Sequence, residues 1–121
     1  MTTCKISLRA KFGLFSDHWH PRIVGEVNDS LVKLVKVKGE FVWHSHADED
    51  EMFLVISGRL TMRFRDRAVA VDPGEFIIVP KGTEHRPEAD IETEIMLFEP
   101  RAVVNTGDEV NERTRAELEW I

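Results

Sequence analysis

The sequence contains no tyrosine and only one cysteine, Cys4, among its 121 residues. A single cysteine excludes a disulfide within the chain and a cysteine-rich zinc module. No apolar run approaches the roughly 20 residues that a membrane-spanning helix needs, so we expect no membrane partner. The first residues do not follow the charged-then-apolar plan of a signal peptide. These absences predict a cytoplasmic protein.

Basic residues are also in the minority. Sixteen lysines and arginines face 22 acidic residues, which gives a formal net charge of −6. Nucleic-acid binding needs a clustered basic surface that neutralises phosphates. The one local excess of basic residues, at 63–67, is interrupted by Asp66. We therefore expect no nucleic-acid partner.

The length suits one compact domain covering residues 1–121. Strand-like runs lie at 23–27, 31–37, 52–56, 60–65, 76–79 and 94–98. Short strands at close spacing, separated by Gly and Pro turns, predict an all-β sandwich or barrel. The run at 52–56 is continuously apolar, which is typical of a strand buried on both sides.

Three local features lie around these strands. Ser7 is predicted to cap a short N-terminal helical turn that Gly13 limits. Pro73 and Gly74 fit the second and third positions of a type II turn. Residues 109–121 form a charged C-terminal extension whose last apolar residues, including Trp120, would be costly to expose. We expect this end to dock on the barrel or on a neighbouring subunit.

The histidines give the strongest indication of function. His44 and His46 fall in a run, residues 40–56, that reads as β-strand, where residues two apart face the same side. Their Cα atoms would lie about 7 Å apart, given a strand rise of roughly 3.3 Å per residue. Glu51 follows closely, and the turn at 80–82 can bring His85 over the pair. Three imidazoles and a carboxylate are a ligand set for a divalent first-row metal.

The glycines and prolines around these residues complete two motifs. The first consists of Gly39, His44, His46, Glu51 and Gly58, and the second consists of Gly74, Pro80, Gly82 and His85. At these spacings the chain resembles a small single-domain cupin, of the cupin type-2 conserved barrel kind, in the mannose-6-phosphate-isomerase-like branch. It departs from the family pattern at Gly39, which lies one residue closer to His44 than usual, and at Ala89, where the second motif often ends in Asn.

The resemblance implies a double-stranded β-helix, or jelly-roll barrel, with motifs at 39–58 and 74–85. It also implies one divalent transition metal per subunit, bound by His44, His46, Glu51 and His85. The residues do not choose among Zn, Fe, Mn, Ni, Co and Cu. Similar single-domain cupins pair through their outer strands, so the resemblance further implies a homodimer.

Other residues compete for roles at the site. Glu49 is an alternative to Glu51, although Glu51 fits the spacing to Gly58 better. His18 and His20 form a second His-x-His, but no carboxylate or turn partner accompanies them at matching distance. Trp19 between them is expected to pack over a barrel edge.

The cavity wall is predicted less directly, from facing parity in the barrel. The residues proposed for an apolar wall are Val42, Phe53, Met62, Phe64, Met96 and Phe98. They could equally fill the core. Arg63, Arg65 and Arg86 are candidates for contacting an anionic substrate, although solvent exposure is the simpler expectation for the first two.

The fold hosts many activities, so function stays open among three hypotheses. The first is an enzyme acting on a small polar or anionic metabolite, such as a sugar or sugar-phosphate isomerase. The second is an Fe(II)-dependent dioxygenase. The third is a non-catalytic module in which the metal and pocket bind a small molecule. The sequence identifies no catalytic acid or base beyond the metal ligands.

Overall fold

A computed structural model describes residues 3–107, 111–112, 114–115 and 117–121. Glu109, where the predicted C-terminal extension begins, lies outside the described residues. Within them the chain forms α1 (Leu8–Phe12), β1 (Arg22–Val27), β2 (Ser30–Glu40), β3 (Glu51–Ser57), β4 (Leu60–Arg63), β5 (Ala68–Val71), β6 (Phe76–Val79) and β7 (Arg86–Pro100). None of the described residues forms a helix that could span a membrane.

The single helix forms where the sequence predicts it. The Ser7 hydroxyl accepts a hydrogen bond from the backbone N–H of Ala10 at 3.2 Å, which caps the helix, and Gly13 ends it. Phe12 is buried against Val24 and Leu34, while Phe15 packs at the edge of this contact. The helix is therefore held to one side of the sheet by an apolar face.

All seven strands pair antiparallel, and β7 connects them. The paths of pairing run β1-β2-β7-β3-β6, with β4 joined to β5 and to β7. One half of β7 pairs with β3 and the other half with β4, while β2 runs along the opposite edge of β7. The sheet therefore bends round an interior, which confirms the predicted all-β jelly-roll class.

The inward side of each central strand carries the core. On β7 the buried residues Ile95 and Leu97 alternate with half-buried ones and face the interior with Val35 of β2, whereas Leu34 of β2 is buried on the other face against Phe12 of α1. The same alternation holds on β3, where Phe53 and Val55 are buried and Leu54 is not. The prediction that 52–56 is buried on both sides is therefore wrong, because the outer face of β3 is only partly covered.

Turn chemistry behaves as predicted at the β5–β6 connection. Gly74 has φ +84°, and the Glu75 backbone N–H donates to the Asp72 carbonyl at 2.9 Å. This is the type II turn expected with Pro73 before a glycine.

The end of the chain docks on β1, which agrees with the expectation that it docks on the barrel rather than on a neighbouring subunit. The Ile23 N–H donates to the Glu119 carbonyl at 2.9 Å, and the Ile121 N–H donates to the Ile23 carbonyl at 3.0 Å. Ile121 also packs beside the Phe12 cluster. Trp120 forms the backbone bridge to Ile23 but leaves its side chain exposed.

Candidate metal centre

Four side chains from three separate segments meet inside the barrel. His44 and His46 lie on the connection between β2 and β3, Glu51 is the first residue of β3, and His85 immediately precedes β7. The sequence predicts that the two histidines lie in a regular strand, and this prediction is wrong. Instead His44 forms an isolated bridge with His85, through His44 N–H to His85 O at 3.1 Å and His85 N–H to His44 O at 2.9 Å. This bridge fixes the two ligand-bearing segments against each other.

The distances between the four groups suit one ion. One donor atom from each of His44, His46, Glu51 and His85 lies within 4.8 Å of the others. Oε1 of Glu51 is 3.1 Å from Nε2 of His46 and 3.4 Å from Nε2 of His85. Two ligand atoms at right angles on an ion, each about 2.1 Å from it, lie about 3 Å apart. The cluster therefore has the dimensions of adjacent coordination positions.

The imidazoles are oriented by backbone carbonyls. Nδ1 of His44 is 2.9 Å from the Val42 carbonyl, and Nδ1 of His85 is 2.9 Å from the Thr83 carbonyl. A carbonyl only accepts, so each Nδ1 carries the proton and each Nε2 presents a lone pair to the cluster. Such a contact to the second ring nitrogen is typical of metal-binding histidines.

The burial of these atoms tests whether a metal fits. All four side chains are buried, and Nε2 of His85 and Oε1 of Glu51 make no hydrogen bond within the described chain. Buried polar atoms left in that state cost free energy, which is why they are rare in folded proteins. A divalent cation would satisfy both, so the donor set and its burial fit a single metal ion.

The protonation states also favour metal binding. Burial lowers the pKa of His44 to about 4, and the neighbouring His85 ring adds to the effect. Burial alone would raise the pKa of Glu51, but the Glu99 carboxyl and the His46 and His85 imidazoles beside it outweigh burial and hold this pKa well below its usual value. A neutral imidazole and an ionised carboxylate are the forms that bind metals.

A pair of buried polar side chains, Lys33 and Glu99, lies next to Glu51. Burial raises the pKa of Glu99 well above its usual value, and the charge of Glu51 and their shared hydrogen bond raise it further. Nζ of Lys33 donates to Oε1 of Glu99 at 2.7 Å. Of the two carboxyl groups, Glu99 is therefore the one that favours the protonated form. This Lys33–Glu99 pair was missed from the sequence.

A cavity opens beside the cluster. It measures about 440 Å³ when the open solvent space at its mouth is included. The described residues that line it are Trp19, Pro21, Val35, Val37, Phe41, His44, Glu51, Phe53, Pro87, Ile95, Leu97 and Asn105. Two of the four cluster residues thus form part of its wall.

Most of the predicted cavity wall lies elsewhere. Of the six residues proposed, Phe53 lines the cavity, whereas Val42, Met62 and Phe64 belong to the core around it. Met96 and Phe98 were wrong by one residue of strand parity, because Ile95 and Leu97 face inward. Asn105 and Trp19 reach the cavity from segments outside the strands, and no spacing rule indicated them.

The competing residues are separate from the cluster. Glu49 is half-buried and outside it. His18 lies 3.6 Å from Glu92, and His20 lies 3.2 Å from Asp17. Trp19 between them packs over the barrel edge, stacked on the Phe41 ring.

The candidate arginines pair with surface acids. Arg63 contacts Glu88, Arg65 contacts Glu84, and Arg86 lies between Glu40 and Glu88. No arginine or lysine is among the described residues that line the cavity.

An antiparallel barrel that encloses three imidazoles and a carboxylate fits the class of small β-barrels whose interior could hold a metal ion. The family model described as "Cupin domain" matches residues 31–104, and the chain belongs to this family. The match spans both motifs and all four cluster residues.

Comparison with known proteins agrees with this assignment. A cupin-2 domain protein from Shewanella frigidimarina NCIMB 400 is 52% identical, with a TM-score of 0.79 over 79% of this chain and 94% of that one. Protein NMB1881 from Neisseria meningitidis is 27% identical, with a TM-score of 0.74 over 79% and 98% of the two chains. Protein YdbB of Bacillus subtilis (strain 168) is 41% identical over 71 residues, which are 58% of this chain and 63% of that protein.

Proposed function

We propose that the chain binds one divalent first-row transition metal through His44, His46, Glu51 and His85. The observation that carries this proposal is the convergence of four buried donor atoms within 4.8 Å. A metal held in this way would supply a Lewis acid that can activate a bound small molecule. The protein's own residues orient the His44 and His85 imidazoles, keep His44 neutral and bury the cluster away from water.

We further propose that the protein is an enzyme of the Fe(II)-dependent dioxygenase class. The described cavity lining offers no titratable side chain other than His44 and Glu51, which are both in the cluster. Isomerisation of a sugar needs a separate base to move a proton, and sugar hydroxyls need polar partners. The apolar lining supports a reaction in which the metal itself activates the reactants. The mannose-6-phosphate-isomerase-like branch has less support for the same reason.

A binding module without turnover is the second candidate. The same lack of an additional acid or base in the described lining favours it. Elemental analysis of the purified protein tests metal binding first. Oxygen consumption by the Fe(II)-loaded protein then supports the dioxygenase, whereas solvent deuterium exchange into an aldose would support an isomerase. Retention of a ligand with neither activity would support the binding module.

We also propose a homodimer. The outer face of β6 and β3 carries Phe76 and Ile78, with 59% and 53% of their surface exposed. In register, Phe76 lies beside Leu54 and Ile78 beside Met52. Met96 and Phe98 continue these rows on β7. An apolar face of this extent on a monomer is typical of an interaction surface.

The dimer is tested by sedimentation or light scattering. Phe76→Lys should shift the protein to the monomer, because it places a charge on the apolar face. Ile91→Lys is a matched control, since Ile91 is also 59% exposed but lies outside the rows. A wild-type monomer at micromolar concentration would refute the dimer. A single domain over residues 1–121 and a cytoplasmic location stay predictions.

A further inference from the structure

The wall of the cavity limits which ligand it can take. Five of its twelve described lining residues are inward side chains from three strands, namely Val35, Val37, Phe53, Ile95 and Leu97. All five are buried and none can form a hydrogen bond through its side chain. A polyhydroxylated ligand would lose its hydrogen bonds to water here and regain few of them. The walls therefore favour a ligand with an apolar body.

The polar groups of the cavity are confined to a few positions. His44 and Glu51 present the candidate metal centre, and Asn105 contributes an amide. The nearest buried cation, Lys33, is not part of the described lining and is committed to Glu99 and the Val103 carbonyl. Among the described lining residues none carries a positive charge, so a negatively charged ligand end would find its counter-charge at a bound metal.

One side of the cavity is flat and aromatic. The rings of Trp19 and Phe41 are stacked, with centroids 4.8 Å apart and an interplanar angle of 20°. Nε1 of Trp19 donates to the Lys38 carbonyl at 2.9 Å, which fixes the indole. Phe41 in turn meets the His44 ring edge-on, with centroids 5.4 Å apart. An aromatic surface that runs up to a metal ligand suits a planar ligand in the same place.

We infer that this cavity takes a small planar apolar molecule, of the aromatic carboxylate class, whose one oxygen-donor end reaches the metal. The inference rests on the proposed metal site and specifies its ligand. The aromatic body lies among the side chains of β2, β3 and β7, and the oxygen end lies at His44 and Glu51.

The experiment uses the full chain loaded with Co(II), whose visible spectrum reports a change of ligands. Benzoate, acetate and glucose 6-phosphate are titrated separately. Benzoate should bind on the order of tenfold tighter than acetate, because its ring adds buried apolar surface. Glucose 6-phosphate should bind more weakly than benzoate. Equal affinity for benzoate and acetate, or tighter binding of glucose 6-phosphate, would overturn the inference.

A pair of variants locates the ring. Val37→Thr places a hydroxyl in the cavity wall and should weaken benzoate binding about fivefold while leaving acetate binding and cobalt content unchanged. Val55→Thr makes the same change at a buried position outside the described lining and should leave benzoate binding unchanged. An equal effect of both variants on benzoate would count against the proposed position.

Cobalt content distinguishes a failure of the metal site from a failure of the proposed ligand class. A protein that holds no cobalt at the cluster would overturn the metal site and this inference together. A protein that holds one cobalt but prefers the polar ligands would overturn the inference alone and leave the metal site intact.

Discussion

Two groups of buried polar side chains share the barrel interior, and they differ in whether a cation among their own members already binds the carboxyl group. In the metal cluster, Nε2 of His85 and Oε1 of Glu51 lie 3.4 Å apart, and neither atom makes a hydrogen bond within the described chain. In the Lys33–Glu99 pair, by contrast, the ammonium group is already bound at 2.7 Å. Burial alone therefore does not indicate a ligand site. Unused lone pairs that converge on one point do.

The largest effect on stability is expected from removing Lys33 from the Lys33–Glu99 pair. Lys33→Met should lower the free energy of unfolding by about 3–5 kcal/mol, because it removes one partner from a buried charged network. Lys38→Met, an exposed change on the same strand, should stay within about 0.5 kcal/mol. Denaturant titration of both variants measures this difference. Equal stabilities would show that Lys33 contributes nothing to the interior.

Removing a cluster residue should act on metal binding. His85→Ala should weaken metal affinity by about 100-fold or more, since loss of even a supporting contact to a ligand costs 10–100-fold. His18→Ala removes an imidazole outside the cluster and should leave the affinity unchanged. Competition with a chelator of known affinity gives both values. Unchanged affinity in the His85 variant would remove that residue from the site.

In the metal cluster, the contribution of His44 to the free energy of unfolding should depend on pH. The pKa of His44 falls from 6.5 to about 4 in the folded state, so the folded protein binds fewer protons than the unfolded chain between these values. The metal-free protein should therefore keep this contribution above pH 6.5 and lose about 3 kcal/mol as pH falls toward 4. Denaturant titrations across this range measure the slope. His44→Asn should flatten it, and an unchanged slope would refute the assignment.

The smallest effect is expected at Glu99. Because its raised pKa keeps this carboxyl protonated, Glu99→Gln preserves a donor to Glu51 and an acceptor for Lys33. Stability should change by less than about 1 kcal/mol. Glu99→Leu is the contrasting variant, since it leaves the Lys33 charge without a partner, and it should cost several times more. Similar losses in both variants would mean that Glu99 is ionised.

The fold and the cluster were largely predictable because they depend on local chemistry and motif spacing. Ser7 caps its helix, Gly74 makes its turn, and the two motifs identified the four residues that converge. The predicted strand with His44 and His46 was wrong, because this segment pairs through one bridge from His44 to His85 and not through a ladder. That bridge depends on a contact between distant segments.

The rest depended on tertiary placement. Lys33 lies at the inward parity of β2 between Leu31 and Val35, and that alternation was the available indication of a buried lysine. The cavity wall was misplaced at Met96 and Phe98 because the facing side of β7 is set by its pairing with β2 and β3. Asn105 enters the cavity from a loop whose path no sequence pattern specifies.

X-ray absorption spectroscopy of the protein loaded with one equivalent of Zn(II) tests the central claim most directly. The account predicts an inner shell of nitrogen and oxygen only, with outer scattering from three imidazoles. A sulfur neighbour, which would place the ion at Cys4, or a spectrum with one imidazole would contradict it.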